Sequence, residues 1–184
     1  MSQTDVQTGI HNRRQFDIRL QDGCERQRRY PGDLSIIVIG IDGLEELSDI
    51  HGPECGEYVL ERVAAGIAGL MRKSDCLARF SPDTLCCLVF DSGGNTANKI
   101  AERLRRHVEN LELQFHDADL KVTASLGISG SAQAASPETM LGKAVEALSL
   151  ARQAGGNRVA ARPGAENPGL LTRTPHLSAG HSGR

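Results

Sequence analysis

Arg72 and Asp75 stand in an R-x-x-D spacing that sets a guanidinium fork three positions before a carboxylate. An arginine fork can grip a phosphate or give two hydrogen bonds to a base edge, and a nearby carboxylate can accept from that edge's donors. A plainer reading also fits: a cation near a helix C-terminus meets the macrodipole favourably and can pair with Asp75. The second chemical group is carboxylate. Asp83 offers the hard oxygens that Mg²⁺ takes, yet it can equally shape a turn, while Asp42 and Asp49 can cap helices and Glu45 can belong to a solvated face. The third is thiol. Cys24, Cys55, Cys76, Cys86 and Cys87 are odd in number and lack C-x-x-C spacing, so buried reduced thiols are expected rather than disulfides or zinc.

The elements that must position these groups follow from periodicity. Asn12 to Arg29 reads as a polar helix stopped by Tyr30-Pro31-Gly32, and Leu34-Ser35-Ile36-Ile37-Val38-Ile39 as a strand buried on both faces. Gly43 opens helical ground. Val59, Leu60, Val63, Ala64, Ile67, Leu70 and Met71 give the clearest amphipathic helix, between Pro53 and Arg72. Cys76 to Phe80 and Leu85 to Phe90 read as two strands joined by Ser81-Pro82-Asp83-Thr84 in a type I turn. A further helix runs through Ala97 to Leu111, a strand through Lys121 to Ser129, and a last helix from Pro137 to Ala154, ended by Gly155-Gly156.

The 184 residues suffice for one domain, and the formal net charge of -2 gives no overall reason to expect nucleic acid or an anionic membrane. No stretch is long and apolar enough to span a bilayer and no leader pattern is present, so a cytoplasmic protein without membrane insertion is expected. Composition divides the chain into a domain over 1–160 and a Pro/Gly/Ser-rich tail over 161–184, read as disordered.

Several segments together resemble the GGDEF (diguanylate cyclase) family: Asp5-x-x-Thr8-Gly9-Ile10-x-Asn12-Arg13-Arg14-x-Phe16, a strand ending at Asp42, Gly52 and Gly56 before the long helix, and Arg72-x-x-Asp75. Ala78-Arg79, Ala101-Glu102-Arg103, Val122-Thr123-x-Ser125-x-Gly127 and Gly155-x-Asn157-Arg158-Val159 follow in order. The resemblance implies an α/β (α+β) fold, with a central, mostly antiparallel five-stranded sheet flanked by helices, as in nucleotidyl-cyclase and polymerase-palm folds. It also implies bacterial cyclic di-GMP signalling.

The resemblance equally marks what has changed. Gly40 stands where the family has its first strand-end carboxylate, leaving Asp42, which faces the same side if the strand continues. The five-residue signature aligns with Ser81-Pro82-Asp83-Thr84-Leu85, so only Asp83 remains as a metal ligand, and Pro82 removes a backbone donor. Glu45 replaces a phosphate-binding Lys, reversing a charge at a cost of about 4 kcal/mol at 4 Å and an effective dielectric of 20. Ser48 replaces a guanine-reading Asn; Glu57, for an Asp, can still accept from guanine, Asp49 remains, and Arg152, for a Lys, can still hold phosphate. Asp42 and Asp83 are thus vestigial, as is the GTP pocket of Ser48, Asp49, Glu57 and Arg152. By contrast Arg72, Asp75 and Arg103 fill the family's inhibitory cyclic di-GMP site, where donors and acceptors read guanine, and Arg79 is a further candidate. The expectation is a cyclic di-GMP receptor without turnover that signals to a protein partner or within a homodimer. It needs no cofactor, with Mg²⁺ only if GTP binding persists. The alternatives are a weak cyclase joining two GTP, and a nucleotide-free interaction module. With no phosphodiesterase segment after Val159 and no sensory domain before Asp5, work by docking, or as a fragment of a larger chain, is expected.

Overall fold

The computed structural model describes residues 2–131 and 136–161; of the predicted tail over 161–184, Ala161 ends a strand and the rest lies outside the described residues. α1 spans Arg13–Arg29 and begins where the Asn12 side chain accepts from the Gln15 N–H at 3.0 Å, satisfying a donor that the first turn leaves free. β1 (Leu34–Asp42) follows, then α2 (Leu44–His51), α3 (Pro53–Leu70), β2 (Cys76–Ser81), β3 (Thr84–Phe90) and α4 (Gly94–Glu109). A small hairpin of β4 (Leu113–Phe115) and β5 (Ala118–Leu120) precedes β6 (Thr123–Gly130), α5 (Pro137–Gln153) and β7 (Val159–Ala161).

The main sheet has the order β2-β3-β1-β6-β7, antiparallel throughout except for the β6–β7 pair. The expected five-stranded, mostly antiparallel sheet is therefore present. β1 sits at its centre, buried from Leu34 to Ile41. Its odd-numbered residues Ile37, Ile39 and Ile41 enter the core with α3 and α4, whereas Ile36 and Val38 pack with α1 and α5 residues such as Phe16, Met140 and Leu148. This alternation places Gly40 and Asp42 on the α5 side.

Three short strands escaped the sequence reading. β4 and β5 are three residues each, too short for alternation to register, and their turn uses His116 at φ 51 rather than a glycine. β7 is equally short, and its pairing with β6 depends on a return of the chain after α5. The strand predicted from Lys121 begins instead at Thr123.

The thiols are reduced: Cys55, Cys76, Cys86 and Cys87 are buried and Cys24 half-buried. Burial pushes the Cys76 thiol up to about 11 and raises Cys86 and Cys87 as well, so none of these three is a thiolate near neutrality.

α5 lies on β6 with no side chain between them at Gly127, where an added Cβ would meet the backbone of Ala144 and Leu148, with Leu148 Cα at 2.9 Å. Gly127→Ala is expected to destabilise the domain by about 3 kcal/mol, the upper range for overpacking, because backbone cannot rotate aside as a side chain can. Chemical denaturation of wild type and variant measures the difference.

Candidate functional site

The β2–β3 hairpin turns at Pro82 and Asp83, and the Ile41 N–H of β1 donates to the Asp83 carbonyl at 3.2 Å, fixing the turn beside the end of the central strand. Asp83 Oδ1 accepts from Ser81 Oγ at 3.0 Å and Thr84 Oγ1 at 2.8 Å, while Oδ2 accepts from Arg152 Nη2 at 2.9 Å. Partial burial raises the Asp83 pKa, but the hydrogen bonds from Thr84, Arg152 and Ser81 and the Arg152 charge outweigh it and hold the carboxyl below its usual value. The turn-shaping role foreseen for Asp83 is present, together with an ion pair that the sequence did not reveal.

β1 does continue through Asp42, which faces α5 as the continuation required. Its carboxylate is not a helix cap, however: Gly43 occupies the α2 N-cap with no side-chain bond. Asp42 instead accepts from Thr123 Oγ1 at 2.7 Å, Ser125 Oγ at 2.8 Å and the Asn157 N–H at 3.0 Å. It joins β1, β6 and the turn after α5, where Gly155, Gly156 and Asn157 all have positive φ.

These groups line a cleft of about 1070 Å³ that also receives Ser48, Asp49, Glu57 and Arg152. The four residues of the expected nucleotide pocket are thus brought together. Their side chains are partly committed: Ser48 Oγ donates to the Leu44 carbonyl at 3.0 Å, and Glu57 pairs with Arg79 at 3.2 Å. The lining carries Asp42, Glu45, Glu46, Asp49, Glu57 and Asp83 and the single guanidinium of Arg152, so its local field is acidic.

Arg79, expected with Arg72, is drawn elsewhere. Its guanidinium reaches Asp5 at 3.5 Å, Glu57 at 3.2 Å and the Pro82 carbonyl at 3.4 Å, so it fastens the N-terminal segment to α3 and the hairpin. Asp5 in turn accepts from the Thr8 N–H and Oγ1 at 2.9 and 2.7 Å. Nothing in the sequence linked residues 74 positions apart.

At the other end of the hairpin, the Arg72 N–H donates to Asp75 Oδ2 at 3.1 Å, and the Phe90 N–H reaches Asp75 Oδ1 at 3.4 Å. The pairing foreseen between the Arg72 guanidinium and Asp75 is not made; among the described residues that guanidinium has no hydrogen bond or ion pair, and Arg72 is exposed. Arg103 Nη2 donates to the Leu70 carbonyl at 3.0 Å, which brings α4 to the same edge two residues before Arg72. A cleft of about 340 Å³ here is lined by Arg72 and Asp75 with Lys73 and His11, two groups the sequence reading did not single out.

Residues 2–158 match the family model described as "Diguanylate cyclase, GGDEF domain". The chain belongs to the GGDEF family. The GGDEF chain is 30% identical over 156 residues to diguanylate cyclase DgcP of Pseudomonas aeruginosa, covering 85% of the chain and 23% of that protein. It is 31% identical over 159 residues to the response regulator PleD of Caulobacter vibrioides, covering 85% of the chain and 35% of the relative. The chain therefore spans no more than about a third of these two relatives. In structure it is similar to the GGDEF domain of DgcB from Caulobacter crescentus, solved in complex with c-di-GMP, with TM-score 0.84, 23% identity, and coverage of 88% and 96% of the two chains. Diguanylate cyclase SiaD of P. aeruginosa, solved with its activator SiaC, gives TM-score 0.83 at 25% identity, covering 87% and 62%.

Active members of this family use Mg²⁺, and the residues of this GGDEF domain do not fit it. Among the described residues no three His, Cys, Asp or Glu side chains come together as a metal site. Gly40 supplies no side chain, Asp42 is occupied by three donors and Asp83 by an arginine. Nor, among the described residues, is any helix long and apolar enough to cross a membrane.

Asp83, Asp5 and Glu102 all have carboxyls held below their ordinary values: for Asp83 and Asp5 hydrogen bonds and an arginine overcome burial, and for Glu102 the Arg105 hydrogen bond leads. A depressed folded pKa contributes stability that is present above the unfolded value and lost as pH falls through the folded one. Thermal stability is therefore expected to fall below about pH 4, and Asp5→Asn to lower the neutral-pH melting temperature while flattening that acid slope. Melts followed by circular dichroism from neutral to strongly acidic pH provide the check.

Proposed function

We propose that this GGDEF domain binds cyclic di-GMP at Arg72, Asp75 and Arg103, without cyclase turnover, and passes the bound state to a protein partner or a second copy of itself. The observation that carries the reading is the contrast between the two ends of the hairpin. The Arg72 guanidinium is exposed and unengaged, with Lys73 and His11 lining the same cleft, while Asp42 and Asp83 each already accept three hydrogen bonds from within the fold.

A free arginine fork beside a carboxylate suits guanine. Arg72 can donate to O6 and N7 or to a phosphate oxygen, Arg103 can turn from the Leu70 carbonyl to a second phosphate, and a carboxylate accepts from guanine N1 and N2. Asp75 already accepts one backbone N–H on each oxygen, and a carboxylate has lone pairs for more. Cyclic di-GMP in the DgcB complex and the activator protein in the SiaD complex support the ligand class and the partner class respectively. The acidic lining of the larger cleft, whose carboxylates form no three-ligand cluster among the described residues, weighs against a weak cyclase.

Isothermal titration with cyclic di-GMP tests this. Wild type is expected to bind at micromolar concentration, Arg72→Ala to lose at least about tenfold, near 1.4 kcal/mol, and Asp83→Ala to bind as wild type. Equal loss in both variants would refute the separation of the two centres. Absence of binding, with conversion of Mg²⁺-GTP to cyclic di-GMP, would establish the weak cyclase instead.

A further inference from the structure

We infer that the Arg152 guanidinium takes the place of the divalent cation in the larger cleft, so that Asp83 is held in an arginine–carboxylate pair in place of a metal ion. The inference concerns a different site from the proposed nucleotide receptor and stands independently of it.

Gly40 is the first reason. A Cβ at this position would lie 2.7 Å from Arg152 Cζ and 2.9 Å from Nε, with Nη2 closer still, so the guanidinium rests on the strand in the space that a side chain at 40 would fill. The missing carboxylate at 40 and the guanidinium that fills its space are complementary changes. The second reason is Asp83, whose Oδ2 receives Arg152 Nη2 at 2.9 Å while Oδ1 is shared by Ser81 and Thr84. Arg152 thus spans from β1 to the hairpin turn, the positions from which a metal would have drawn its ligands.

Chemistry favours permanence. A guanidinium stays protonated at any physiological pH, its fork matches a carboxylate, and the last turn of α5 favours a cation at this point. The arginine satisfies Asp83 with one positive charge and no hydration shell to strip, whereas Mg²⁺ demands octahedral oxygen ligands that the described residues do not assemble. It follows that restoring a carboxylate at 40 is insufficient. Gly40→Asp with Arg152 present gives a second acid for the same guanidinium, and Arg152→Ala alone frees only Asp83.

Titration with Mn²⁺, followed by electron paramagnetic resonance of the free ion, tests the inference on the purified chain. Wild type, Gly40→Asp and Arg152→Ala are each expected to show no saturable site below millimolar concentration. The double variant Gly40→Asp/Arg152→Ala is expected to bind at least about tenfold more tightly than any of them. That binding should be competed by Mg²⁺ and abolished by adding Asp83→Asn. Circular dichroism melts establish that each variant is folded before titration. A saturable submillimolar site in wild type that Asp83→Asn removes would overturn the inference, as would a folded double variant that binds no better than wild type.

Discussion

α5 meets the sheet backbone to backbone. Gly127 leaves the β6 surface bare where Ala144 and Leu148 cross it, and the buried alanines at 144, 147 and 151 keep the helix low over the strands. That approach fixes what happens beyond the helix. Arg152, one turn after Leu148, is delivered across the neighbouring strand onto Gly40. The Gly155-Gly156-Asn157 turn then comes against Asp42, which accepts the Asn157 N–H, and the chain can return as β7 alongside β6. A helix held higher by even one methyl group would carry Arg152 away from the strand and loosen the turn that Asp42 holds.

The ion pair at the end of this path is not a large source of stability. Its side chains are 39% and 46% exposed, and pairs in such surroundings contribute about 0–1 kcal/mol. Its consequence is occupancy. The only surviving carboxylate of the hairpin turn is neutralised by a group the fold itself supplies, in a cleft that five other acids also line. The buried-facing Asp42 is the opposite case: three donors within 3.0 Å make it a structural fastener, and its chemistry as a ligand is spent inside the fold.

Much of this architecture was legible in the residues because the long elements obey strong local rules. The apolar spacing from Val59 to Ile67, the β-branched run before Gly40, and the turn residues at Pro82 and Asp83 specify their elements without help from the rest of the chain. Three-residue strands carry no comparable pattern, which is why β4, β5 and β7 were missed. The candidate sites divide along the same line. Arg72 and Asp75 are near neighbours, so their juxtaposition follows from sequence, although the carboxylate turning to the Arg72 N–H rather than to its guanidinium does not. The bonds of Arg79 to Asp5 and Glu57, and of Arg152 to Asp83, close loops of 74, 22 and 69 residues, and only the folded topology brings those charges together.

The β2–β3 hairpin keeps the two clefts apart. Asp75 precedes its first residue and Asp83 lies at its tip, and a strand of six residues is about 20 Å long. Between them Arg79 ties the hairpin to Asp5 and Glu57, so it is held at the middle as well as at both ends. Charges this far apart, separated by packed side chains and screened by salt, scarcely influence one another. Closing the Asp83 centre with an arginine therefore exacts no cost at the Arg72 end. That separation is the physical condition under which the Arg152–Asp83 pair at the hairpin tip can form without disturbing the exposed Arg72 guanidinium at its base.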